Sequence, residues 1–339
     1  MMSIRVAILG SGGLGRGMAK VLEARNGFSV IAMADSLGFA YEPNGLPTHE
    51  LESLVSVSQW GDLSVETPNA IRQLLQQHGQ HIDAIFMALP NLPVDFFANT
   101  VTMICDETPF EGVMVDALKR TKAVELLMPL TEKLKARNIL YITGAGATPG
   151  FLTTVAAVAA QSFVKVERVN IHFGVGVANW EQYKATIRED LIHLPGFTAT
   201  KVASMSDAQV MQELDNRNGL IELVNMEHAD DIILELAGIC DRNQVTVGGL
   251  VDTRNPQKPC STTVTVTGVT AYGKTTSHQF VVGDDASMVD NVCGPATGFM
   301  ARGVELLNQG QAGLMTSASV MPRYSAVGLT LNKRMPSLV

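Results

Sequence analysis

The chain has 339 residues, 46 % hydrophobic and 17 % charged, with a formal net charge of −8, which is globular material for two domains. The acidic balance disfavours nucleic acid and anionic membrane surfaces as partners, and no apolar stretch approaches the roughly 20 residues that span a bilayer. No basic-then-apolar leader opens the sequence, so the expectation is a cytoplasmic protein with a small-molecule substrate.

Ile4 to Leu9 reads as a buried strand, followed at once by Gly10-Ser11-Gly12-Gly13-Leu14-Gly15 and a helical stretch from Arg16 to Arg25. A GxGxxG motif is weak alone, but here it has a strand before it and a helix after it. Gly10 permits a tight turn, Gly12 lets the backbone approach a pyrophosphate, and Gly15 lets helix and strand pack closely. Gly13 and Leu14 lie in the same turn, where a helix start offers free N–H groups and a partial positive charge to phosphates. A second strand, Phe28 to Ala34, ends in Asp35. An acid about 20 residues past the motif is placed to bond ribose hydroxyls. Its charge favours NAD, while Ser36 next door leaves NADP open.

The βα rhythm continues with strands Ile82 to Leu89, Gly112 to Val115 and Leu140 to Thr143. It implies a doubly wound parallel Rossmann sheet over residues 1–150. Two loops would flank a nicotinamide: one carries Leu89, Pro90 and Asn91, the other Gly146 and Ala147. Asn91 equally suits stabilising its own turn. Lys119 leaves the carboxyl end of the fourth strand, where ligands bind in open α/β sheets. A helix follows with Thr121 as its expected N-cap. The helix terminus and burial would both favour the neutral, nucleophilic amine. Spacing alone fits a solvated lysine beside Arg120 and Lys122 as well. Pro129 interrupts the helix that follows.

The rhythm changes after residue 150. A helix from Thr153 to Ser162 precedes strand Val166 to Val177 and a helix from Asp207 to Arg217. Val245 to Val251, Thr262 to Thr270 and Thr275 to Val282 read as strands, the last two joined by a turn at Ala271–Lys274. Residues 151–291 are therefore expected to form an α+β domain with a mostly antiparallel, half-exposed sheet, a surface that suits a homo-oligomer. Helix 292–308, with Met300, Val304 and Leu307 on one stripe, is expected to pack back on the first domain. Residues 309–339 read as a tail ordered at best in part.

His228 lies among Glu227, Asp230 and Asp231, acids that can set its tautomer for proton transfer; an ordinary helix histidine fits too. Arg188 suits a bidentate grip on a substrate carboxylate or a surface ion pair. Asn179 and Trp180 suit a pocket lip or a packed loop. Arg254 sits in a loop rich in hydrogen-bonding groups. Cys105, Cys240, Cys260 and Cys293 form no CxxC pair, and no HExxH occurs, so buried thiols and no metal are expected.

Three segments in the first half, Phe86–Pro93, Val115–Thr121 and Gly144–Gly150, resemble the BioU family of biotin-synthesis enzymes. So do Gly174–Glu181, Glu189–Gly196, Met226–Asp231 and Val251–Pro256. The family is similar in architecture to saccharopine and lysine dehydrogenases. The resemblance implies a suicide reaction with NAD(P)H and NAD(P)+ as cofactors and CO2 (bicarbonate) as co-substrate. The lysine matching Lys119 would condense with the ketone of 8-amino-7-oxononanoate, give up its nitrogen and end as an aldehyde. The histidine matching His228 would serve the carbamate step, and dethiobiotin synthetase would receive the product. Asn179, Trp180, Arg188 and Arg254 are the candidate substrate contacts. On the residues alone, a multi-turnover NAD(P)-dependent amino-acid dehydrogenase and a non-catalytic NAD(H) sensor stay open.

Overall fold

The computed structural model describes residues 3–91, 93–283 and 287–333. Leu92 of the Pro90–Pro93 run and residues 334–339 of the expected tail lie outside them. The chain divides into two units, residues 1–151 with 292–339, and residues 152–291.

In the first unit β1 (Ile4–Leu9), α1 (Gly13–Glu23) and β2 (Phe28–Ala34) come first. β1 is buried almost throughout because neighbours cover both faces, so it reads as an apolar run and not an alternation. The helix starts at Gly13, not Arg16, since Gly10 at φ +109° turns the chain early and Gly12 is the N-cap. β3 (Gly38–Tyr41), β4 (Ser64–Glu66), α2 (Ala70–His78) and β5 (Ala84–Met87) follow. Next come α3 (Phe96–Glu107), β6 (Gly112–Asp116), α4 (Thr121–Leu127), α5 (Thr131–Ala136) and β7 (Ile139–Thr143). The break between α4 and α5 is a 3-10 turn at Pro129.

The second unit runs α6 (Phe151–Ala160), β8 (Lys165–Gly176), α7 (Trp180–Ile192), α8 (Ala199–Ser204), α9 (Asp207–Asn216) and β9 (Leu220–Leu223). It continues α10 (Asp230–Leu236), β10 (Val245–Asp252), β11 (Thr262–Val269) and β12 (Thr275–Val282). Its sheet has the order β12-β11-β8-β10-β9. β8 and β10 pair in parallel and the other pairs are antiparallel. Val169, Ile171, Val247, Val264 and Val266 point into one core, while Asn170, His172 and Thr265 alternate outward.

The chain returns through α11 (Met288–Asn308) and β13 (Gly313–Thr316) to the first sheet, whose order is β13-β7-β6-β5-β1-β2-β3-β4. The sheet is mostly parallel, as expected, with β3 and β4 extending it antiparallel beyond β2. Part of the segment past 309 is regular. β13 pairs with β7, and Val320 and Ala326 are buried. The order reverses between β1 and β5, so the crevice beyond their carboxyl ends is where a ligand fits this sheet.

Gly303 of α11 lies against β6, where an added Cβ would sit 2.6 Å from a methyl of buried Val113. Gly303→Ala should lower stability by about 1–3 kcal/mol through overpacking. Urea unfolding would read this as an earlier midpoint, and an unchanged midpoint would contradict the packing described.

Candidate functional site

Asp116 ends β6, a strand otherwise built from Gly112, Val113, Met114 and Val115. Its side chain is fully buried, and a buried carboxylate needs donors from its own chain. Oδ1 accepts from Leu118 N at 3.0 Å and Gly144 N at 2.6 Å. Oδ2 accepts from Thr143 Oγ1 at 2.9 Å and from the Tyr141 hydroxyl. The Asp116 carbonyl also accepts from Ala145 N at 2.8 Å. The bond from Leu118 N turns the chain out of β6. Those from Tyr141, Thr143, Gly144 and Ala145 fasten that turn to β7 and its glycine-rich exit. Burial pushes the Asp116 carboxyl above the usual range, and the four donors pull the other way. Burial and the neighbouring Asp116 hold Tyr141 well above its ordinary value, so its O–H remains a donor.

Lys119 rides on this turn. Leu118 before it is fully buried, and Lys119 itself is half-buried two residues ahead of α4. The expected N-cap at Thr121 is displaced by one residue: Arg120 takes that position with extended backbone and no side-chain cap bond. Gly146 closes the other side. A Cβ there would lie 3.1 Å from the Ala117 Cβ, so glycine lets the two loops touch. Gly146 and Ala147 both bridge to Gly150, and the Gly146 carbonyl takes Phe151 N.

The remaining dinucleotide candidates line the same edge of the sheet. A Cβ on Gly10 would strike the Ala88 carbonyl, and one on Gly15 would strike the Gly10 carbonyl. At Gly12 nothing lies within 4 Å of the added atom. The turn is thus closed toward the strands and open at Gly12, beside the start of α1, which fits a pyrophosphate. Ala88 N donates to Leu9 O at 2.8 Å, so Leu89, Pro90 and Asn91 emerge beside the glycine turn. Asp35 reaches Ser11 Oγ at 2.8 Å.

In the second unit, His228 lies in the loop before α10, not in a helix. It is 3 % exposed and Asp230 is 0 % exposed. His228 Nδ1 lies 2.8 Å from Asp230 Oδ2, and Thr153 Oγ1 donates to Asp230 Oδ1 at 2.6 Å. Of the acids around His228, Asp230 is the one bonded to its ring. With Nδ1 protonated, Nε2 carries the lone pair.

The substrate-contact candidates are used differently. Arg188 donates to the Val202 and Met205 carbonyls and forms a 2.6 Å ion pair with Asp207. Trp180 packs against the second core beside Asn179. Arg254 pairs with Asp215 at 2.8 Å and lies over Gly219. Arg188 is thus engaged in an ion pair, and Trp180 opens α7 with its ring against the second core. None of the four cysteines is in a disulfide; Cys105 and Cys293 are buried, Cys240 and Cys260 only partly. Asp116, Tyr141 and Thr143 were not singled out from sequence. The available signals were an acid closing an apolar strand and a tyrosine within an otherwise aliphatic one.

No family model matches the chain. It is similar to the (S)-8-amino-7-oxononanoate synthase BioU of Haloferax mediterranei, 37 % identical over 357 aligned positions that cover 96 % of this chain and 100 % of that protein. Among solved structures it is similar to an engineered D-amino acid dehydrogenase bound to NADP+. The TM-score is 0.55 at 16 % identity, over 97 % of this chain and 98 % of that one. It is also similar to apo saccharopine dehydrogenase (L-Glu forming) from Saccharomyces cerevisiae, with a TM-score of 0.50 at 10 % identity over 94 % of each chain. These structural likenesses establish the dehydrogenase-type fold.

Removing the Asp116 carboxylate strands buried donors, each worth about 1–3 kcal/mol. Asp116→Ala should therefore destabilise the chain by at least that much, and Tyr141→Phe by about 1 kcal/mol. Denaturant midpoints at unchanged slope would read both; equal midpoints for Asp116→Ala and wild type would contradict the network.

Proposed function

The chain belongs to the (S)-8-amino-7-oxononanoate synthase BioU family, and from that premise we propose that it acts once, in biotin formation, with Lys119 as a sacrificial amino donor. The observation that carries this is the Lys119 turn, tied through Asp116 to the loop after β7 at the carboxyl edge of a sheet that fits a dinucleotide.

The Lys119 amine must be neutral to attack. It stands half-buried, two residues ahead of α4. The amine adds to the ketone carbon of 8-amino-7-oxononanoate, water leaves, and an imine joins Lys119 to the substrate. The Gly10, Gly12 and Gly15 turn would hold the pyrophosphate of a dinucleotide and the loops at Leu89–Asn91 and Gly146–Ala147 would flank its nicotinamide; bound there, the cofactor would supply a hydride to that imine and take one back from the lysine side. The substrate's 8-amino group takes up CO2 as a carbamate, releasing a proton. His228 Nε2 accepts it, with Asp230 fixing the tautomer and Thr153 orienting Asp230. Hydrolysis then leaves the nitrogen on the product, diaminopelargonate carbamate, and Lys119 as an aldehyde. The product is passed to dethiobiotin synthetase. Both hydride transfers cancel, so no net reductant is consumed.

Product counted per chain, with amino ketone, NADPH or NADH, and bicarbonate, should level off at one equivalent. Lys119→Arg should form none. Product rising steadily past one equivalent would instead make the chain a multi-turnover dehydrogenase. His228→Asn should slow product formation by about 10²–10⁴-fold while leaving attachment of substrate to Lys119 largely intact. Equal loss of attachment would remove His228 from the carbamate step.

A further inference from the structure

Asp35 stands where an acid bonds the adenosine ribose in dinucleotide sheets, yet its acceptors are already engaged. Oδ1 takes Leu37 N at 2.9 Å, Gly38 N at 3.2 Å and Ser56 Oγ at 3.1 Å. Oδ2 takes Ser11 Oγ at 2.8 Å and Val57 N at 2.9 Å. A carboxylate offers about four lone-pair sites, and these five donors fill them. Burial raises the Asp35 carboxyl, but the bonds from Val57, Leu37, Ser11 and Ser56 outweigh it and hold the group below the usual range. It is therefore ionised and spent on its own chain.

Arg16, just after the glycine motif, grips the same segment from the other side. It donates to Leu54 O at 2.8 Å, to Val55 O at 3.4 Å and to Leu51 O. Its Nε donates to Ser11 O at 2.8 Å. Ser11 thus links both charged groups, one through its carbonyl and one through its hydroxyl. Residues 51–57, which no dinucleotide motif requires, are fastened to the glycine turn by an acid and a base together.

We infer that Asp35 is a positioning residue that anchors residues 51–57 beside the glycine turn, and that it does not serve as a ribose ligand discriminating NAD(H) from NADP(H). This rests on the dinucleotide reading above. The anchored segment shapes the adenosine side for either nucleotide, and Arg16 offsets the charge that would otherwise repel a 2′-phosphate.

The test uses the full chain, NADH and NADPH binding followed by nucleotide fluorescence, and amide hydrogen exchange at residues 54–58 without nucleotide. Asp35→Asn and Arg16→Met should each weaken both nucleotides in parallel, by about tenfold, and speed exchange at 54–58. Ser56→Ala, which removes a single donor, should do the same more mildly and keeps the test available if a charged-site variant folds poorly. If Asp35→Asn favours NADPH over NADH by about tenfold or more, or leaves exchange at 54–58 unchanged, the inference is overturned while the dinucleotide reading survives. A wild-type chain that binds neither nucleotide overturns both.

Discussion

A carboxylate sealed from water must be met by donors of its own chain, and the loop that carries Lys119 is shaped by how Asp116 meets that demand. Leu118 N, Gly144 N, Thr143 and Tyr141 all converge on one side chain. Two consecutive crossovers of the sheet thereby become one rigid corner. An amine on a solvated loop would sample many positions. Here the residue before it is buried and the turn before that is bonded to β7, so the backbone beneath the amine is fixed before any ligand arrives. Near-attack geometry depends on that kind of preorganisation.

The same device recurs. Asp35 knots residues 51–57 to the glycine turn. Asp230 fastens His228 to Thr153 on α6. Asp252 takes Arg254 N, Asn255 N and the Asn255 amide, and so shapes the exit of β10. Asp116, Asp35 and Asp252, each at or just past the end of a strand, take backbone N–H groups that the regular element leaves unpaired, whereas Asp230 ties two side chains together. The two arginines expected to hold a substrate carboxylate are instead engaged with Asp207 and Asp215.

The sequence made local features legible where pattern and chemistry coincide. β1, the glycine turn and β2 were readable because an apolar run, three glycines and a second run obey one geometric rule. The alternation in β11 was readable because one face of that strand is buried, while β12, exposed along most of its length, was readable from the turn that joins it to β11. Lys119 and His228 stood out through resemblance, since spacing left each with an ordinary alternative. What sequence hid was set by distant partners. Nothing local marks Tyr141 as a donor to a residue 25 positions earlier. Nothing in Gly313–Thr316 announces an edge strand, which exists because β7 offers it a free edge. Asp35 lies where the motif rule puts an acid, and the rule could not show that Ser56 and Val57 would occupy it.

The central claim is that Lys119 is consumed. The most direct measurement is the mass of the peptide containing Lys119 after the chain has been incubated with 8-amino-7-oxononanoate, NADPH or NADH, and bicarbonate. The account predicts that this peptide alone shifts to the mass of an aldehyde, in step with one product formed per chain. An unmodified Lys119 peptide, with product accumulating beyond one equivalent, would contradict it.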